Sequence, residues 1–293
     1  MNIKKIELNH KLAPYTSWKI GGIADTFYIP KNLAELKRFL KGLPSNESLT
    51  WLGAGTNVLI RDGGVRGTVI YIKGKLNNIV KIAEGGLRAE AGVSCSRLVR
   101  RALNLGQDAS FLAGIPGTIG GALAMNAGAF GDEIWRYAKA VEVINRYGEV
   151  RVKPANDFIA GYRHVKGLGA NEWFVAGIFH FPSGEIVDIQ ERVKQLIQKR
   201  RKSQPLNELS CGSVFRNPPG DYAARLIETA ELKGKTIGGA SVSTKHANFI
   251  INKNNALASD IEALLQYIIE QVEKKHGIRL VPEVHILGEY QNE

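Results

Sequence analysis

Three polar side chains, a hydroxyl, a guanidinium and a carboxyl, stand where the surrounding sequence is apolar or glycine-rich. Ser213 sits between Gly212 and Val214, and Arg163 follows Tyr162 in GYR. Glu283 lies in VPEVHIL, where strand alternation puts Val284 and Ile286 on one face and Glu283 and His285 on the other. Taken singly, each reads more simply as a turn serine, a solvated hairpin arginine and a solvent-face glutamate.

Spacing sets several other chemistries aside. The six histidines (His10, His164, His180, His246, His276, His285) show no ligand spacing on one helix, and no Cys-x-x-Cys occurs, so no metal centre is expected. Cys211-Gly212-Ser213-Val214-Phe215 lacks the second glycine of a nucleophile elbow. The turn Gly53-Ala54-Gly55-Thr56-Asn57 is not a Rossmann fingerprint: the third glycine is missing, the next segment is β-branched, and Lys73 stands about where a ribose-binding acid belongs. There is no P-loop either. A glycine-rich turn between two strands can still hold a diphosphate through its N–H groups.

A second glycine-rich stretch, FLAGIPGTIGGALAMNAGAFG at 111–131, makes the same offer on a larger scale. It carries six glycines (Gly114, Gly117, Gly120, Gly121, Gly128, Gly131) and no charged side chain, which is unlike a solvated loop. Each interior glycine costs a helix about 1 kcal/mol against alanine, so an ordinary helix is not expected here. Such a backbone can approach a large anionic ligand where any Cβ would collide. The alternative is a tightly packed strand–turn–helix crossing.

Around these stretches the elements fall in order. NLAELKRFLKGLP has helical spacing of Leu33, Leu36, Phe39, Leu40 and Leu43, with Pro44 past its end. LTWLGAGTNVLIRDGGVRGTVIYI reads as three strands joined by two glycine turns. Ser94 begins a helix that stops at Gly106 and leads into the 111–131 stretch. AVEVINRYGEVRV is a hairpin turning at Tyr147-Gly148, and FIAGYRHVKG and NEWFVAGIFHFPSG add strands. From about Asp188 the chain turns helical, up to Pro205. SCGSVFRNPPG reads as a short strand, and Asp221 starts a helix in DYAARLIETAELKG. KTIGGASVSTKHANFIIN is strand-like. Ser259 and Glu262 form a capping box for a helix whose apolar face is Ile261, Leu264, Leu265, Ile268, Ile269 and Val272, ending at Gly277. LVPEVHILG closes as a strand.

At 293 residues the chain is long enough for two or three domains. The formal net charge is +11, yet the basic residues are scattered apart from Lys199, Arg200, Arg201 and Lys202, and no basic stripe is interleaved with aromatics as nucleic-acid binding would want. Gripping phosphorylated small molecules accounts for the charge more specifically. Two cysteines, Cys95 and Cys211, give no disulfide framework and fit a reducing compartment. With no apolar leader and no bilayer-length apolar segment, the expected location is the cytoplasm, away from membranes.

GAGTNVLI, GIPGTIGGALAMNAGAFG, GYR, CGSVFRNP, VSTKHANFIIN and PEVHILG, in this order, resemble the UDP-N-acetylenolpyruvoylglucosamine reductase family. The resemblance runs from about Tyr15 to Gly288. The lack of a long insertion after GYR is similar to the family's second type. It implies an α+β protein: a vanillyl-alcohol-oxidase/PCMH-type FAD-binding domain of two subdomains (1–75 and 76–187), a substrate-binding domain (188–281), and a C-terminal strand (282–293) that brings Glu283 to the active site. FAD, held non-covalently, would contact Gly53, Ala54, Gly55, Thr56, Asn57, Val58 and Leu59. It would also contact Ala113, Gly114, Ile115, Pro116, Gly117, Thr118, Ile119, Gly120 and Gly121, then Asn126, Ala127, Gly128 and Ala129, and finally Val175 and His285.

The implied reaction passes hydride from NADPH, by way of FAD, to the enolpyruvyl double bond of UDP-N-acetylglucosamine enolpyruvate, giving UDP-N-acetylmuramate. Its demands fit the three polar residues named first. A fixed Arg163 can stabilise the enolate in a dry site. A protonated Glu283, beside Val281 and Val284, can donate to the same oxygen. Ser213 matches the family's proton donor. Tyr162, Arg216, Asn217 and His246 align with the substrate grip. The chain is expected to act as a monomer. Three positions depart from the common pattern: His164-Val165 after GYR, Phe130 in place of a tyrosine, and His285 in place of an arginine. Other readings are a different oxidoreductase of the same flavin fold, such as a sugar oxidase, against which the glycine stretch offers no His or Cys for covalent flavin, and a basic nucleic-acid-binding protein.

Overall fold

The computed structural model describes residues 6–291. Their backbone contacts form two compact units. The first comprises Ile6, Phe27–Ala54 and Val69–Lys199; the second comprises Glu7–Thr26, Gly55–Thr68 and residues 200–291. Six α-helices occur among the described residues: α1 (Leu33–Lys41), α2 (Cys95–Leu103), α3 (Ile119–Ala124), α4 (Ile186–Ser203), α5 (Ala223–Thr229) and α6 (Ala258–His276).

The first unit is built on a five-stranded antiparallel sheet in the order Val150–Pro154, Ala138–Asn145, Glu172–Phe179, Leu87–Glu90 and Ile79–Lys81. Leu98, Val99 and Ala102 of α2 and Ile119, Ala122 and Leu123 of α3 are buried in one cluster with Leu87, Val141, Val143, Phe174 and Phe179 of the sheet. Gly177 gives α3 its seat. A Cβ there would lie 2.3 Å from the Phe179 ring and 3.1 Å from Leu123. Ser94 begins α2 as its sequence predicts, accepting from the Arg97 N–H, and Thr118 begins α3 in the same way through Gly121. A helix at Ile119–Ala124 was not expected over the Gly120-Gly121 pair. It forms because Gly120 must pass Ala91, where a Cβ would stand 2.9 Å from the Ala91 Cβ, and this close packing outweighs the propensity cost.

The second unit gathers pieces far apart in sequence. Trp18 is fully buried, donates from Nε1 to the Ile250 carbonyl (2.7 Å), and accepts at its own carbonyl from Asn252 Nδ2 (2.9 Å). Leu59 joins the same core. The apolar face foreseen for α6 is buried, together with Leu226 and Ile227 of α5 and the three-stranded sheet Thr236–Ile237, Ala240–Val242, Ile250–Asn252.

Three local expectations are corrected here. First, Ser259 and Glu262 do not cap α6. Asp62, in the turn after the strand Val58–Ile60, accepts from the Ala258 and Ser259 N–H groups (2.9 and 3.0 Å), while Asp260 accepts from Leu257. Glu262 is left to pair with Arg61 (2.9 Å). A long-range carboxylate thus displaces the local motif. Second, Asp221 does not start α5. It pairs with Arg225, whose hydrogen bonds lower the pKa of the half-buried carboxyl to about 2, and Asn217 Oδ1 accepts the Ala223 N–H instead. Third, SCGSVFRNPPG forms no regular strand. It is held by isolated bridges, Ser210 to Ile251 and Phe215 to Pro282.

Asp62 therefore does structural work at both ends of its reach, fixing the turn that carries it and the start of α6. Asp62→Ala should lower the unfolding free energy in urea by about 1–2 kcal/mol, the range for loss of an N-cap. A change within the error of the measurement would remove Asp62 from this role.

Candidate active site

Two backbone runs share an unusual property. Among the described residues, the N–H groups of Gly53, Ala54, Gly55 and Asn57 meet no protein acceptor, and neither do those of Gly114, Gly117 and Thr118. Only Gly55 and Thr118 of these are buried, so most of the donors are open to water or to an anionic ligand. The runs approach each other at Gly53, where a Cβ would stand 2.7 Å from Thr118 Oγ1. Gly55, at φ +64°, admits no Cβ at all, since the Tyr15 carbonyl oxygen would be 2.0 Å away. Gly114 and Gly117 also have positive φ (75° and 138°).

Not every residue assigned to this cradle faces it. Leu59, Ala113, Ile119 and Val175 are exposed by 2% or less. Val175 lies in the cluster of Tyr28, Leu36, Ile70 and Ile144, so its side chain backs the cradle from the core and does not line it. Val58 lies in the strand Val58–Ile60, while Thr56, Ile115, Pro116, Gly121, Ala127 and Ala129 keep partial or full exposure. The Asn126 side chain is 1% exposed and is spent inside the protein. Its Nδ2 donates to the Gly161 carbonyl (3.1 Å) and its Oδ1 accepts from the Trp135 N–H (3.4 Å).

That bond anchors the hairpin bearing Arg163. Strands Ile159–Gly161 and His164–Lys166 are joined by a two-residue turn, Tyr162-Arg163, with Arg163 in the left-handed region at φ +59°. Its guanidinium lies 5.2 Å from the centre of the Tyr162 ring, and Nη2 donates to the Gly128 carbonyl (3.3 Å). His164, the first departure from the family pattern, leaves the hairpin register intact because its ring packs over Gly161, 2.3 Å from where a Cβ would be. Phe130 is 42% exposed, with Lys199 Nζ 5.7 Å from its ring centre.

In the second unit the backbone ties Ser213, Glu283, Arg216 and His285 to the 55–59 turn. The Glu283 N–H donates to the Val214 carbonyl (2.8 Å) and the Arg216 N–H to that of Val281 (2.9 Å), so the segments of Ser213 and Glu283 run side by side. Asn57 clamps the other edge. Its Nδ2 donates to the Glu283 carbonyl (3.1 Å), and its own carbonyl accepts from the His285 N–H (3.1 Å). Strand His285–Leu287 then pairs in parallel with Val58–Ile60. Val284 is buried at 6%, as expected, but Val281 is 55% exposed, so only one of the two valines can dry the surroundings of Glu283.

Electrostatics within this group are directional. Burial, then the Glu283 carboxylate, pushes the Cys211 thiol well above its ordinary range, and burial raises Cys95 to about 12; neither is a nucleophile at neutral pH. Partial desolvation, then the Arg216 charge, lowers the pKa of His285. Burial, then the Lys233 charge, lowers that of His246. Among the described residues no helix is long and apolar enough to cross a membrane, and no His/Cys/Asp/Glu group could hold a metal ion.

A model described as "FAD binding domain" matches residues 24–152, and one described as "UDP-N-acetylenolpyruvoylglucosamine reductase, C-terminal domain" matches residues 204–287. The UDP-N-acetylenolpyruvoylglucosamine reductase of Coxiella burnetii (strain Dugway 5J108-111) is 51% identical over 300 residues, covering 96% of this chain and 95% of the relative. The chain belongs to the UDP-N-acetylenolpyruvoylglucosamine reductase family. The family's protein from Alkalilimnicola ehrlichii is 52% identical over 289 residues (98% and 96% covered). The crystal structure of the Thermus caldophilus reductase superposes with a TM-score of 0.80 at 30% identity, covering 98% of this chain and all of that one. The fold is thus the family's FAD-binding α+β domain with its C-terminal partner domain.

The unpaired donors suit FAD. Its diphosphate is an anion that backbone N–H groups can hold, and the glycines leave room for it. Two residues that hold the backbone near these segments were not singled out by the sequence. Asp62 sits in an ordinary RDGG turn, and Asn248, which binds the backbone of Phe215, sits in HANF; neither has a spacing that sets it apart.

Because the folded state holds His246 with a lowered pKa, the unfolded chain takes up its proton first as pH falls below about 6.5, and stability drops with acidification. His246→Gln should flatten that decline below pH about 6.5 in urea titrations. An unchanged slope would contradict the assignment.

Proposed function

We propose that the protein is the FAD-containing, NADPH-dependent reductase that converts UDP-N-acetylglucosamine enolpyruvate to UDP-N-acetylmuramate. The observation that carries this reading is the clamp made by Asn57, which fastens Glu283 and His285 to the 55–59 turn while the Glu283 N–H fastens Val214, next to Ser213. An acid and a hydroxyl are thereby built into the backbone that also offers unpaired N–H groups. Bound FAD would supply the two-electron link, accepting hydride from NADPH and delivering it to the methylene carbon of the enolpyruvyl group.

The residues of the chain do the rest. Gly53, Ala54, Gly55, Asn57, Gly114, Gly117 and Thr118 present N–H groups to the cofactor's anionic part. Hydride addition leaves an electron pair on the ether-bearing carbon, delocalised onto the carboxylate as an enolate. Arg163, held by the left-handed turn and by the Gly128 carbonyl, supplies a fixed positive charge for that oxygen. Glu283, in protonated form, donates to the same oxygen. Ser213 Oγ gives its proton to the ether-bearing carbon, closing the lactyl centre, and recovers one from water. A serine hydroxyl is a weak acid, so its advantage must come from position.

Tyr162, Arg216, Asn217 and His246 grip the UDP-sugar, with His246 acting as a neutral hydrogen-bonding ring because its pKa is lowered. The substrate domain spans 188–281, following FAD subdomains at 1–75 and 76–187, with 282–293 as the C-terminal segment that brings Glu283 to the active site. The enzyme works as a cytoplasmic monomer on its small-molecule substrates, without nucleic acid.

Anaerobic stopped-flow on Ser213→Ala separates the two halves of the reaction. Bleaching of the flavin by NADPH should stay within about twofold of the parent, while recovery of colour with the enolpyruvyl UDP-sugar should slow by about 10²-fold or more, the low end for loss of a general acid. Equal slowing of both halves, or of neither, would remove Ser213 from proton donation.

A further inference from the structure

Ser213 has no regular strand to hold it. On one edge its segment pairs with residues 281–283, through Glu283 N–H to Val214 and Arg216 N–H to Val281. Before it stands Gly212, at φ +84°, with nothing within 4 Å of a built Cβ, so the chain entering Ser213 is not braced from that side. The opposite edge needs a partner for the N–H and C=O of Phe215, a residue only 1% exposed.

One side chain fills that role. Asn248, itself 3% exposed, accepts from the Phe215 N–H at Oδ1 (3.0 Å) and donates from Nδ2 to the Phe215 carbonyl (2.8 Å). Its own carbonyl accepts from the Val214 N–H (3.0 Å). A carboxamide has the same donor and acceptor as a peptide group, so Asn248 stands in for a neighbouring strand at Phe215, two residues beyond Ser213, and satisfies buried groups there. The backbone N–H of Asn248 also points at His246 Nδ1 (3.3 Å). With the His246 ring neutral, an N–H donated to Nδ1 leaves the ring proton on Nε2. Asn248 therefore touches both the segment of the proposed proton donor and a residue of the proposed substrate grip.

We propose that Asn248 is a positioning residue for Ser213, fixing the Val214-Phe215 backbone so that the Ser213 hydroxyl is held where protonation of the substrate requires it. The inference rests on the reading of Ser213 as the proton donor. Asn248 does not touch the reacting atoms; it acts through the peptide groups that follow Ser213. Misplacement of a reacting group by about 1 Å can cost on the order of 10²-fold in rate, so a lost clamp is large enough to measure.

The test uses the FAD-loaded enzyme and its Asn248→Ala and Asn248→Asp variants. The aspartate keeps an acceptor for the Phe215 N–H and loses the donor, so it serves as the milder variant and decides the matter if the alanine variant does not fold. Three results are expected together. Amide exchange at Phe215 should accelerate at least tenfold in Asn248→Ala and by less in Asn248→Asp, which keeps the acceptor for that N–H. Reoxidation of the flavin by the enolpyruvyl UDP-sugar should slow by at least tenfold, with reduction by NADPH within twofold of the parent. In a Ser213→Ala background the same Asn248 substitution should slow reoxidation by less than twofold further, because there is no hydroxyl left to misplace. If both half-reactions slow alike, or the Asn248 and Ser213 effects multiply, Asn248 is structural only and the proposal falls. If Ser213→Ala alone leaves reoxidation unchanged, the reading of Ser213 fails first; if Ser213→Ala slows it and Asn248→Asp does not, only the Asn248 proposal fails.

Discussion

The structure depends on backbone N–H groups that the fold leaves without an acceptor. Two glycine-rich runs, 53–57 and 114–118, spend little of their donor capacity on the protein, and the close approaches around them forbid the side chains that would otherwise crowd in. Gly55 and Thr118 are buried and the other five residues are partly or fully open to solvent, so these donors can be handed to a ligand that supplies the acceptors. A diphosphate-bearing cofactor does so and suits a stretch 111–131 that carries no charged side chain, while residue 55 must be glycine because the Tyr15 carbonyl leaves no room for a Cβ.

The second dependence is that reactive groups ride on the same backbone as the cradle. Asn57 belongs to the 55–59 turn and holds Glu283 and His285; the Glu283 N–H holds Val214; Asn248 holds Phe215 from the other side. Positions that are 226 residues apart in sequence are thereby fixed by a few hydrogen bonds between main chain and short amides. The bonds of Asn248 to Phe215 are sheltered from water, where a lost partner costs more than an exposed contact would. In the first unit Asn126 does comparable work for the Arg163 turn, and the left-handed φ of Arg163 is tolerated because the hairpin on both sides of it is pinned.

Much of this was legible in the sequence because the signals were local. The α6 stripe, the Ser94 start of α2, the Tyr147-Gly148 turn and the strand carrying His285 all follow from periodicity and turn chemistry, and the glycine stretches advertise close backbone approach. What the sequence hid was decided at long range. Asp62 outcompetes Ser259 for the start of α6 from across the unit, Ala91 turns a poor helix former into a helix at Gly120, and Val175 reads like any strand residue until its core is assembled. The 213–216 segment reads as a strand yet is held by one asparagine side chain, which no alternation pattern encodes.

Amide hydrogen exchange with and without FAD tests the central claim most directly. The N–H groups of Gly53, Ala54, Gly55 and Asn57 and of Gly114, Gly117 and Thr118 should exchange readily in the flavin-free protein and become strongly protected when FAD is added. Flavin binding that protects other segments and leaves these seven amides unchanged would contradict the account.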